Sequence, residues 1–428
     1  MRIVDHDGAA VLSQATQSTA TTSDVSRGAV TFRADVPALG YALYRILPGG
    51  DAEAASDLMV NPEGTVLENP HLRVELDAAT GDVVSLLDKA TGLDVLAGTK
   101  GQPRTAVCDD PTDTWGHRVI SYAWPGDAMK LERIVVRESG PLRTRVRVER
   151  SWGGSLLTEE LLLGHDSRSL RIDITIDWRE KAHLLKLRYP VGLTDPQATF
   201  EVPYGVIERP VDGAEEPAQS WVDLTGSLDG APAGLTVICT DKHGWDVSPP
   251  GSAGLGVPSI GVTAVRSPVY AWHDPRPLDP DGVYSFQDQG IQRFRVELIP
   301  HAGDWRTAQP SRRAAVLGQP VRAQLESFHE GSLPGRLSFA DDGGEAVLVT
   351  AIKGAEDAGD DGSTDVIVRA VETRGAAAHA DLRLPFVDRT LSAGFGPFQV
   401  RTFRVPLDPK REITEVDLLE WAIDEPVP

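Results

Sequence analysis

Asp113, Trp115 and His117 occupy alternate positions in the stretch "CDDPTDTWGHRVISY". In an extended backbone, that alternation turns all three side chains to one side. A carboxylate, an indole face and an imidazole grouped in this way suit a sugar. The carboxylate binds hydroxyls, and the indole stacks on the C–H face of the ring. The alternative is a loop in which Asp113 caps its own backbone in an Asx-turn while Trp115 merely packs. A second set lies in "QDQGIQRFRVELIPHAGDW", Gln287 to Trp305. Here Phe294, Val296 and Leu298 alternate with Arg293, Arg295 and Glu297, as in a strand with one charged, wet face. Asp288, Gln289 and His301 then lie at the ends of that strand, within reach of a ligand.

Other polar clusters read as structural. Glu208 and Arg209 form an ion pair at a strand end, and Phe200, Val202 and Tyr204 alternate as a core face. Gly244, between His243 and Trp245, marks a hairpin turn. Trp272 to Pro277, "WHDPRP", is a loop stiffened by its prolines. The 10 histidines show no HxH, HxxxH or HExxH pairing, so spacing alone defines no zinc site. GxSxG elbows, P-loops and GxGxxG turns are absent as well.

The elements that must position these residues are strands. In "SLRIDITIDW", Leu170, Ile172, Ile174, Ile176 and Trp178 share one face, and strict period two means a half-buried strand. "HLRVELDAATGDVVSLLDKATGLDVLAG" reads as three strands joined by turns at Thr80-Gly81 and Thr91-Gly92. No long amphipathic stripe of helical period appears, and 31 prolines with 41 glycines punctuate the chain. The fold class is all-β, in three blocks. Residues 1–58 form a short N-terminal β segment with a Ser/Thr-rich turn region, and 59–310 a large antiparallel array. Residues 311–428 form a small β-sandwich carrying the acidic loop "EDAGDDGSTD".

The 428 residues carry 42 Lys+Arg against 63 Asp+Glu, a net charge of −21. Such a surface repels a phosphate backbone, which excludes nucleic acid as a partner and favours a neutral one. Cys108 and Cys239 lack metal-ligand spacing and are expected to be reduced, buried thiols. No apolar h-region opens the chain and no run of eighteen apolar residues occurs, so the expectation is a cytoplasmic protein without signal peptide or membrane span.

Taken in order, these segments resemble the C-terminal all-β region of glycoside hydrolase family 38, the α-mannosidases. "ADVPALGYALYRI" looks like the entry strand, and "ENPHLRVELDAATGDVVSLLDKATGLDVL" like the opening hairpins. "DPTDTWGH", "FEVPYGVIERP", "EEPAQSWVDL", "GLTVICTDKHGWDV", "VRSPVY", "DQGIQRFRVELIPHAGDW" and "AIKGAEDAGDDGSTDVIVRAVETRG" follow in family order. The resemblance implies a galactose-mutarotase-like β-supersandwich over 59–310 and a smaller β-sandwich after it. It also implies a parent enzyme that hydrolyses α-mannosidic bonds with retention, through an aspartate nucleophile and a zinc ion.

The family's catalytic α/β domain, which opens with a His-x-Asp zinc motif, has no match in this sequence. No catalytic or metal residue is therefore carried over, and the chain is expected to be a truncated enzyme, inactive alone. Zinc is expected in the missing domain and no cofactor in this chain. The implied partners are a mannose-containing carbohydrate and the catalytic domain, in cis or as a separate chain. A surface left uncovered by that domain makes a homo-oligomer possible. The "DTWGH" and "DQG" loops are the expected rim of the sugar pocket. Two other functions fit the residues: a free-standing carbohydrate-binding or accessory subunit, or a mutarotase-like epimerase. The epimerase would pair His117 or His301 as acid with Asp113 or Asp288 as base.

Overall fold

Period-two alternation becomes burial in the structure, a computed structural model that describes residues 1–17, 28–49, 56–252, 254–271, 278–341, 344–357 and 365–423. Along the strand Leu170–Trp178 every second residue is buried and the others are partly exposed. Arg143–Trp152 alternates in the same way over most of its length. Nine antiparallel strands form the larger sheet, with Leu170–Trp178 pairing on Gly290–Ala302 near its middle. A five-stranded sheet faces it, built around His183–Pro190 and Ser259–Arg266. Leu185, Leu187 and Tyr189 of the smaller sheet share one core with Phe294, Val296 and Leu298 of the larger. The expected all-β supersandwich is thus the observed architecture.

The opening hairpins form as the turn chemistry requires. Leu72–Leu76 pairs with Val83–Asp88, which pairs in turn with Leu93–Asp94. Gly81 and Gly92 sit at φ +72° and +74°, in the left-handed region that glycine enters without a Cβ penalty. Leu72, Val74 and Leu86 join the main core.

The outer faces of both sheets are covered in places. A 3-10 turn, Trp305–Ala308, and a short helix, Pro310–Gly318, lie over the larger sheet. Trp305, Ala308, Ala314 and Leu317 pack there on Trp221, Ile238 and Ile299. Residues 318–334 then run fully exposed to the strand Arg336–Ser338, which pairs with Gly40–Ala42. The smaller sandwich follows. A sheet including Val347–Gly354, Val366–Glu372 and Val400–Val405 packs on the hairpin Ala378–Leu384/Arg389–Phe395.

Several local expectations are corrected. Tyr204 is exposed rather than part of a core face, because it turns the hairpin at φ +56°. Arg209 pairs with Glu216 at 3.4 Å, not with its neighbour Glu208. Gly244 opens the strand Gly244–Ser248 instead of forming a turn. The "WHDPRP" stretch, residues 272–277, lies outside the described residues, as do most of the acidic loop and the Ser/Thr-rich segment.

Candidate functional site

Arg266 ends the apolar strand Ser259–Arg266 at one edge of the sandwich. Its register partner is Leu184, and its guanidinium reaches into the loop that follows the strand Thr105–Asp109. There it meets Asp110 at 2.8 Å, Thr112 Oγ1 at 2.7 Å, the Asp113 carbonyl at 2.8 Å and the Thr114 carbonyl at 3.2 Å. A planar guanidinium with five donors can hold such a set at once, which an ammonium cannot. Asp110 is fully buried and also accepts from the Thr112 hydroxyl. Behind Arg266, the chain reaches both loops: Val269 bridges to Asp113 on one side and to Phe286 on the other. The Arg266 backbone N–H donates to Asp288 Oδ2 at 3.0 Å.

The two candidate loops are therefore brought together, with Arg266 as their common support. Within the first loop the expected extended geometry is not adopted. Asp113 is buried, and its Oδ1 accepts from the Trp115 N–H at 2.9 Å, which is the Asx-turn. Gly116 and Arg118 follow at φ +59° and +62°, so the chain turns before His117. Trp115 is 60% exposed and His117 is exposed beyond it. Among the described residues, Asp113 Oδ2 is buried without a hydrogen-bond donor. In the second loop Asp288 and Gln289 are exposed, Asp288 at φ +50°. The Gln289 amide donates to the Glu180 carbonyl at 2.6 Å.

His301 is not at this rim. It lies inside the long strand Gly290–Ala302, opposite Gly234, and not beyond the strand's end. It is 4% exposed, and its Nε2 is 2.7 Å from Asp223 Oδ2, which also accepts from Thr236. A Cβ on Gly234 would come within 2.4 Å of His301 Cε1, so the imidazole lies over a glycine. The carboxylate satisfies Nε2, while among the described residues His301 Nδ1 is buried without a hydrogen-bond partner. The pairing of His301 with Asp113 or Asp288 that an epimerase would use is not formed.

Sequence reasoning passes over Arg266, although "VRSPVY" contains it. A charged residue closing an apolar strand before Ser-Pro is the available signal. It also misses a second polar cluster on the outer face of the five-stranded sheet, where Lys186, Arg188 and Asp246 are buried beside the partly exposed Glu215. Among the described residues, no three His, Cys, Asp or Glu side chains gather so as to hold a metal.

Comparison with known proteins agrees with this architecture. Residues 67–276 match the family model described as Glycosyl hydrolases family 38 C-terminal domain. Alpha-mannosidase G of Dictyostelium discoideum is 24% identical over 331 residues, 73% of this chain and 28% of that protein. Alpha-mannosidase 2C1 of Mus musculus is 27% identical over 318 residues, 67% of this chain and 27% of that protein. The crystal structure of an alpha-mannosidase from Enterococcus faecalis V583 has the same fold. Its TM-score is 0.71 at 17% identity, over 94% of this chain and 50% of that one.

Fold and matched segment together define a β region of glycoside-hydrolase type. More narrowly, residues 67–276 match the C-terminal domain of glycosyl hydrolases family 38, and the chain is similar to a C-terminal region of that family's α-mannosidases. It spans 28% and 27% of the two curated relatives and half of the solved one.

Proposed function

We propose that the chain serves as the C-terminal β region of a retaining, zinc-dependent α-mannosidase that acts on mannose-containing glycans. In this reading 59–310 is the supersandwich and 311–428 the smaller sandwich. Together they carry a catalytic domain, in cytoplasmic surroundings. The observation that supports it most is the convergence of the 112–117 and 286–289 segments on Arg266. Two loops far apart in sequence share one support and present Trp115 to solvent beside the Asp288 loop. An exposed indole next to polar side chains is what a sugar's C–H face and hydroxyls call for.

Retention needs two carboxyls about 5–5.5 Å apart on either side of the anomeric carbon. The rim carboxylates have other work: Asp113 caps the Trp115 backbone and Asp288 caps Arg266. The zinc of the family finds no donor set among the described residues. In this reading the catalytic domain that the β region carries supplies nucleophile, acid and metal. What this chain supplies is a fixed rim that orients sugar.

The test is an assay of the 428-residue chain on an aryl α-mannoside, with and without added zinc. No turnover is expected in either case. Zinc-dependent hydrolysis by the chain alone would overturn this division of labour.

A further inference from the structure

Behind the rim lies a buried charge cluster that the rim reading does not use. The strand His183–Pro190 sends Leu185, Leu187 and Tyr189 into the main core, so Lys186 and Arg188 point to the opposite face of the sheet. Lys186 is 2% exposed, 2.5 Å from Glu215 Oε2 and 2.8 Å from Asp246 Oδ1. Arg188 completes the set at 3.1 Å from Asp246 Oδ2 and 3.3 Å from Ser248 Oγ. The Thr263 hydroxyl donates to Glu215 Oε1 at 2.5 Å. Two glycines make the room. A Cβ on Gly261 would fall 2.1 Å from Asp246 Oδ1, and one on Gly244 3.1 Å from Glu215 Oε1.

Two cations and two carboxylates balance, and such a cluster stabilises little over an apolar replacement. It can, however, impose a single arrangement on whatever it is tied to. The tie runs through Glu215. Its backbone N–H donates to the Ile120 carbonyl at 2.7 Å, just beyond His117. Arg266 grips the other end of the same loop at Thr112, Asp113 and Thr114. Just beyond the second grip, Tyr122 packs on Ala106, Cys108 and Leu184, with the Arg266 guanidinium 5.8 Å from its ring centre. The loop bearing Trp115 is thus clamped at both ends, once by Arg266 and once from the Lys186 cluster.

We propose that Glu215, locked by Lys186 and Thr263, is a positioning residue for the 112–120 rim loop and touches no ligand itself. This rests on the rim reading above, but its test does not require sugar. Backbone hydrogen exchange is measured on the 428-residue chain and on E215A, E215Q and the double variant K186M/E215Q. In E215A, exchange within 114–121 is expected to rise roughly tenfold or more, while the strand Leu170–Trp178 keeps its protection. E215Q, which leaves the Lys186 charge without one of its partners, loosens the same segment. The double variant removes both charges and the lock with them, leaves Arg188 paired with Asp246, and keeps the segment at least as loose as E215Q does.

Unchanged exchange of 114–121 in E215A overturns the proposal. So does an equal rise in Leu170–Trp178, which is what a merely structural role gives. If E215A does not fold, E215Q and the double variant decide alone, and a double as protected as the parent overturns it. In a complete enzyme, a rim loosened by E215A with an unaltered Michaelis constant would sink the rim reading and leave the positioning intact.

Discussion

Arg266 gives its backbone N–H to Asp288 Oδ2 at 3.0 Å and its guanidinium, in the other direction, to the loop of Asp113. One residue therefore supports both candidate loops, and it does so against the fully buried carboxylate of Asp110. Replacing Arg266 with Met strands that carboxylate, at an expected cost of about 3–5 kcal/mol. Lys at the position should not restore stability, because an ammonium cannot reach four acceptors in a fork. Adding Asp110→Asn to the Met variant should recover part of the loss. Urea denaturation checks all three, and a Lys variant as stable as the parent would rule out the fork as the reason.

Trp115 and Trp221 separate function from packing. Trp221 is fully buried against Trp305 and Leu317, and Trp221→Ala is expected to cost about 3–5 kcal/mol. Trp115 is exposed, so Trp115→Ala should lower stability by less than about 1 kcal/mol. In a complete enzyme it should raise the Michaelis constant instead. A lowered melting temperature with an unaltered Michaelis constant would assign Trp115 to packing.

Acid stability should report on Asp246. Burial alone would raise its carboxyl, but Lys186 and Arg188 beside it bring it down to about 2. An unfolded aspartate titrates near about 3.9. The folded state thus takes up the proton less readily. The carboxylate's contribution is full above about pH 4 and is lost as pH falls through about 2. Between those values the parent's stability should fall about 1.4 kcal/mol per pH unit more steeply than that of Asp246→Asn. Denaturant titrations at stepped pH measure the difference, and parallel curves would count against it.

Gly234 and His301 should be energetically coupled. A methyl group at 234 meets the imidazole at 2.4 Å, and Gly234→Ala is expected to cost about 1–3 kcal/mol through overpacking. In a background where His301 is Ala, only the closer contact is relieved, since the Leu224 carbonyl oxygen still lies 2.9 Å from the added methyl, so the cost should fall without vanishing. A double-mutant cycle reads the coupling directly. Strictly additive single effects would show that the ring does not sit over the glycine.

Much of the fold is legible in the sequence because period two maps directly onto burial when one face of a strand is wet. Leu170–Trp178 and the hairpins around Gly81 and Gly92 behave that way. The rule fails where a face is covered by something distant in sequence. Lys186 and Arg188 alternate with core residues as a wet face would, yet loop and strand residues from 215, 246 and 263 bury them. The rule fails again in short loops. Asp113, Trp115 and His117 alternate in sequence, but the left-handed residues 116 and 118 turn the chain and leave only Asp113 buried. His301 reads as a strand end because the clean alternation stops at Leu298, whereas Pro300 pairs with Leu235 and the ladder continues through Ala302. Convergence on Arg266 is a tertiary fact: the charged end of an apolar strand before Ser-Pro marks the residue but not the two loops it supports.

The pairing of Gly40–Ala42 with Arg336–Ser338 makes the exposed run 318–334 a closed loop rather than a free tether. Backbone bonds from both flanks continue that closure, with the Leu43 N–H on the Gly335 carbonyl and the Phe339 N–H on the Leu39 carbonyl. A single protease cut in 318–334 would therefore leave two polypeptides that still travel as one particle. Denaturant would be needed to part them, and the fragment holding the smaller sandwich would leave with its first strand stripped of a partner.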